Sequence, residues 1–120
     1  MPAKAEIYVY FGFTPKYRKD LLTDEVKNTI QWAINDQASQ MNIEIIALST
    51  RPDHLYLVTR LPPEISVAKA AQMLKWRSSY VARRRHHELR QIRAFWGKHY
   101  FASSISPRNL EKARQYVESR

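Results

Sequence analysis

The chain has 120 residues, 44% of them hydrophobic, no cysteine and a net charge of +9. That apolar content excludes a disordered chain, the length suits one core in a single domain over residues 1–120, and the lack of cysteine excludes disulfides, thiolate chemistry and cysteine zinc sites. No stretch reaches the ~20 apolar residues that span a bilayer and Met1 to Glu6 hold no secretory core, so a cytoplasmic protein with no membrane contact is expected.

In chain order, Ile7, Val9, Phe11 and Phe13 alternate with Tyr8, Tyr10 and Gly12. A period of two predicts a strand over 6–14, ended by Pro15. Thr23 can cap a helix whose first turn carries Asp24 and Glu25, and Val26, Ile30, Ala33, Ile34 and Ala38 keep helical spacing to about Gln40. Residues 43–50 and 54–60 read as two strands joined by Arg51-Pro52-Asp53, a hairpin. Pro62-Pro63 stops the second, and Ser66 can cap a helix with Val67, Ala70, Ala71, Leu74, Ser78 and Val81 facing inward. Residues 86–96 predict a further helical piece or ordered loop, Tyr100 to Ile105 a short strand, and Ser106-Pro107 the start of a last helix with Leu110, Ala113 and Val117 inside. The order β-α-β-β-α-β with a C-terminal helix predicts a ferredoxin-like antiparallel sheet with helices packed on it, an α+β fold.

Charge is concentrated. Residues 66–99 hold nine Lys/Arg and one acid, Glu88, a surplus of eight. Such asymmetry points to a polyanion, most simply nucleic acid. Lys75, Arg77, Arg83, Arg84 and Arg85, interleaved with Trp76 and Tyr80, suit a phosphate backbone and unstacked bases; Lys16, Tyr17 and Arg18 offer a second contact. A solvated basic helix with Trp76 in the core is the plainer alternative.

Two positions carry potential chemistry. His54 and Tyr56 lie two apart on one strand and share a face. A pair of histidines so placed would hold a divalent metal, but a neutral phenol is a poorer ligand. An ordinary sheet histidine beside a strand aromatic explains the same residues. Tyr116 borders the inner face of the last helix, where a phenol can attack a phosphodiester or simply pack. Arg120, four residues on, has no lone pair for a metal but can clamp a phosphate.

Five segments in order resemble the single-tyrosine HUH transposases of small bacterial and archaeal insertion sequences and their repeat-associated relatives. They are Thr14-Pro15-Lys16-Tyr17-Arg18, Arg51-Pro52-Asp53-His54-Leu55-Tyr56-Leu57, the run from Pro62-Pro63 to Ser78-Ser79, Phe95 to Phe101, and Tyr116 to Arg120. The resemblance implies a dimer that binds hairpins in single-stranded DNA. It also implies cleavage and rejoining through a 5′-phosphotyrosine, with Mg²⁺ or Mn²⁺ held by two histidines and a glutamine. By position, Tyr116 is the nucleophile and His54 a metal ligand. Tyr56 and Arg120 occupy the other two ligand places and are unsuited to them, which implies impaired cleavage or a chain that needs no metal. It further implies that an imidazole and a phenol meet beside a cationic groove, in a dimer from different subunits. Two other readings fit the same residues: an inactive, repurposed binder of hairpin DNA or RNA, and a basic protein-interaction module.

Overall fold

The computed structural model describes residues 5–16 and 21–119. Strand β1 (Ile7–Pro15) leads to helix α1 (Asp24–Gln40), the hairpin β2 (Glu44–Arg51) and β3 (His54–Leu61), helix α2 (Val67–Arg85), strand β4 (Trp96–Ile105) and helix α3 (Leu110–Glu118). The sheet order is β2-β3-β1-β4, every neighbouring pair antiparallel, the ferredoxin-like arrangement expected.

Local chemistry explains the boundaries. Thr23 and Ser66 accept from Val26 N–H and Lys69 N–H at the starts of α1 and α2, satisfying amides that have no helical partner. Helix α1 ends on Asn42 at φ 57°, with Ile43 N–H returning to Ala38 C=O at 2.8 Å; a left-handed residue there closes the last turn. Strand β4 begins at Trp96, earlier than the sequence suggests. It is an edge strand, mostly exposed between Lys98 and Phe101, so burial imposes no alternation there.

The two sheet faces differ. Val9, Phe11, Phe13, Leu55, Leu57 and Leu61 point to α1 and α2, where they meet Ile30, Ile34, Ala70, Ala71 and Leu74 in the main core. Alternate residues point to the other face. At one end of that face α3 packs Leu110, Ala113 and Val117 over Ala47, Val58 and Tyr56. A register shift between Ile45 and Ala47 is a bulge that puts both Ile46 and Ala47 under α3. Deep in the main core, Ser78 Oγ accepts from Trp96 Nε1 at 2.9 Å and donates to Leu74 C=O at 2.7 Å. Among the described residues, no helix is long and apolar enough to cross a membrane.

Candidate nucleic-acid interface

Two faces of the molecule bear on function. The first is the uncovered end of the α3 face. A recess of about 380 Å³ is lined by Tyr10, Gly12, Thr14, His54, Tyr56, His99, Tyr100 and Phe101. His54 and Tyr56 are stacked, ring centres 5.8 Å apart and 5° from parallel, because alternate residues of β3 share a face. Asp53 Oδ1 lies 2.9 Å from His54 Nδ1. A carboxylate accepts, so Nδ1 carries the proton toward Asp53, and in the neutral ring the lone pair is on Nε2.

That recess does not make the three-ligand metal site implied by resemblance. Among the described residues no three His, Cys, Asp or Glu side chains gather where an ion could sit. The recess offers two imidazoles, His54 and His99, among phenols and phenyl rings, whereas Mg²⁺ requires a near-octahedral shell of oxygens. Arg120, like Tyr17 and Arg18, lies outside the described residues.

Tyr116 stands elsewhere. It is half-exposed in a separate recess with Ser104, Ile105, Ser106, Asn109, Lys112 and Ala113. Ile105 pairs with Tyr8, and Tyr8 with Arg60, six residues along β3 from His54. Tyr10 of the first recess pairs with Ser103, next to Ser104 of the second, so the two recesses follow one another along β4. His54 and Tyr116 line different recesses, both on one side of the sheet.

The second face is the outer surface of α2. Trp76 is 54% exposed, not a core residue, and its ring stacks on Tyr80 at 5.6 Å; the two are i and i+4 and share a helix face. Arg84 reaches the Tyr80 hydroxyl at 3.2 Å and lies 5.7 Å from its ring centre. With Ser79, Arg83 and Arg90 these residues line a recess of about 360 Å³. Arg90, which hydrogen-bonds the Arg83 and Arg84 carbonyls, was hidden in the sequence inside an irregular segment. Arg85 sits 4.6 Å from the Trp32 ring centre, a cation–π contact between helices.

The predicted basic contacts divide. Arg83, Arg84 and Arg85 lie at the exposed end of α2. Lys75 instead donates to Gly97 C=O at 2.7 Å and Lys98 C=O at 3.5 Å, and burial pushes its pKa below 10.5. Arg77 pairs with Asp36 at 3.4 Å, tying α2 to α1. Both are committed to the fold. Lys16 follows β1, its N–H donating to Phe95 C=O at 2.8 Å. Gly12, His99 and Phe101 carry no site signal of their own in the sequence; sheet pairing through Gly12 brings Phe101 beside Tyr56.

Comparison with known proteins agrees with this architecture. The family model described as "Transposase IS200 like" matches residues 3–120. The transposase for insertion sequence element IS200 of Salmonella typhimurium is 24% identical over 109 residues, covering 88% of this chain and 71% of that protein. The ISDra2 transposase TnpA of Deinococcus radiodurans is 26% identical over 110 residues, covering 87% and 76%. A crystal structure from Deinococcus radiodurans R1, provisionally described as a transposase, superposes with a TM-score of 0.81 at 23% identity over 98% of this chain and 92% of that one. A REP-associated tyrosine transposase bound to a REP hairpin gives 0.69 at 15% identity, covering 98% and 67%. These two structural likenesses concern the fold, and the family model spans all but the first two residues: the chain belongs to the IS200-like transposase family.

Proposed function

We propose that this chain binds hairpin-bearing single-stranded DNA and that its strand-transfer chemistry through Tyr116 is impaired. The carrying observation is the exposed cluster at the end of α2, where Arg83, Arg84 and Arg90 surround the stacked Trp76–Tyr80 pair. Cations held against aromatic faces meet both components of an unpaired strand, phosphates and bases. Family membership and the hairpin carried by one structural relative support the choice of DNA.

Impairment follows from the donor set around His54. A bound metal is worth several kcal/mol of transition-state stabilisation, and about 1.4 kcal/mol is a factor of ten in rate. The chain's own residues supply one oriented imidazole, fixed by Asp53. Tyr116 is the family's nucleophile by position: its oxygen would bond to phosphorus as the 3′ oxygen leaves, giving a 5′-phosphotyrosine. The Asp53–His54 pair and the exposed Tyr116 favour a second reading, a competent strand transferase assembled from two copies, each supplying one half.

The test uses a labelled single-stranded DNA hairpin with Mg²⁺ or Mn²⁺. Salt-sensitive binding is expected, with little or no covalent adduct. Rapid, metal-dependent adduct formation that is lost in Tyr116→Phe establishes the second reading. No binding to any strand at low salt, with salt-sensitive capture of an acidic protein instead, replaces both with a protein-interaction role.

A further inference from the structure

Tyr116 shares its recess with a cation that holds no part of the fold together. Lys112 precedes it by four residues, so the two side chains rise from one face of α3, with Cβ atoms about 5–6 Å apart. Helical side chains lean toward the N-terminus, which tips the phenol toward the turn that carries Lys112. Both line a recess of about 450 Å³, with Ser104 from the end of β4 and Ser106 and Asn109 from the link to α3 as its other polar walls.

The charges and hydrogen bonds nearby are already sorted. Helix α3 carries two acids, Glu111 and Glu118, and Arg114 binds both. Lys112 has no carboxylate partner among the described residues, and no acid lines the recess. Thr23 and Ser66 cap their helices, whereas Ser106 and Asn109, also in cap positions, make no side-chain cap. Their hydroxyl and carboxamide remain available to the recess. Ser104, Ser106, Asn109, Lys112 and Tyr116 are all exposed, so the recess is a shallow trough. Such a shape suits a group carried past on a chain better than an enclosed molecule.

We propose that this trough seats one backbone phosphate of the bound strand, with Lys112 as the cation that holds it against Tyr116. The proposal rests on the strand-binding reading above and adds a contact separate from the arginine cluster of α2. An ammonium is a compact charge with three donors, and phosphate oxygens are met by lysine, serine and asparagine side chains in nucleic-acid complexes. Lys112 therefore supplies a positive charge beside the phenol that is independent of the donors around His54. It keeps its protons, and its part is to bind and orient.

Single-stranded DNA hairpins, each with one uncharged methylphosphonate moved through successive linkages, report the contact in buffer containing a metal chelator. At one linkage the uncharged group weakens wild-type binding about threefold to fivefold. Lys112→Met loses that penalty and its salt slope falls by about 0.7, while Arg84→Gln keeps the penalty. The chain has no cysteine, so Tyr116→Cys carries a single thiol, which captures a disulfide-activated tether placed on the same linkage. A Lys112→Met variant that keeps every positional penalty, or capture by Tyr116→Cys only at linkages that Lys112 does not read, overturns the proposal and leaves strand binding through the α2 cluster standing. No strand binding at low salt overturns both. Inorganic phosphate that binds wild type but not Lys112→Met, with no Lys112-dependent linkage in the strand, assigns the trough to a free anion and overturns the strand as its source.

Discussion

Lys75 separates a structural role from a binding one, and Lys75→Met tests which it plays. Its ammonium donates to Gly97 C=O at 2.7 Å and fastens the start of β4 to α2. A hydrogen bond from a charged group contributes about 1.5–3 kcal/mol. Gly97 is half-buried, so water replaces part of that bond, and methionine preserves the packing of the aliphatic stem while removing the cost of burying a charge. The net loss should be about 1–2 kcal/mol, which for a domain near this size lowers Tm by about 4–8 °C. Thermal unfolding followed by circular dichroism measures it. Salt titration of single-stranded DNA binding supplies the other half, because each lost phosphate contact lowers the slope by about 0.7. An unchanged Tm together with a slope reduced by about 0.7 would refute the structural assignment and return Lys75 to the interface.

Four further outcomes are expected. Stability measured by urea unfolding should rise as pH increases from the lowered Lys75 pKa toward 10.5, because in that window the unfolded chain holds a proton that the native state has released; Lys75→Met should abolish this increment. Ser78→Ala leaves the buried Trp96 Nε1–H without its acceptor and should cost about 1–3 kcal/mol by the same method. Arg83→Gln and Arg84→Gln should each reduce the salt slope of DNA binding by about 0.7 with Tm unchanged, whereas a Tm drop without a slope change contradicts their placement in the interface. Addition of Mn²⁺ should leave Tm unshifted, since a site saturated a hundredfold over its Kd would add about 2.7 kcal/mol.

Most of the architecture can be read from residue order because local rules agree with one another. Alternation in Ile7 to Phe13, the caps Thr23 and Ser66, and the breaks at Pro52 and Pro62-Pro63 each act within a few residues. The course of β4 from Trp96 to Tyr100 was illegible for the opposite reason: an edge strand facing solvent carries no burial pattern. The site was only half legible. His54 and Tyr56 share a face by the geometry of any strand, but Phe101 becomes their neighbour only through β1, and pairing across three strands is set by the whole sheet. The arginines of α2 look alike in sequence; Arg77 is distinguished from Arg84 only by Asp36, which lies 41 residues earlier on another helix. The resemblance placed Tyr116 by family position, and its distance from His54 depends on where α3 docks.

The seating of α3 also sets where the molecule can give way. Val117 is the one buried residue of that helix, so α3 is held more lightly than α1 and α2, whose faces build the main core. A local opening would release it first and carry Tyr116 away while the sheet stayed whole.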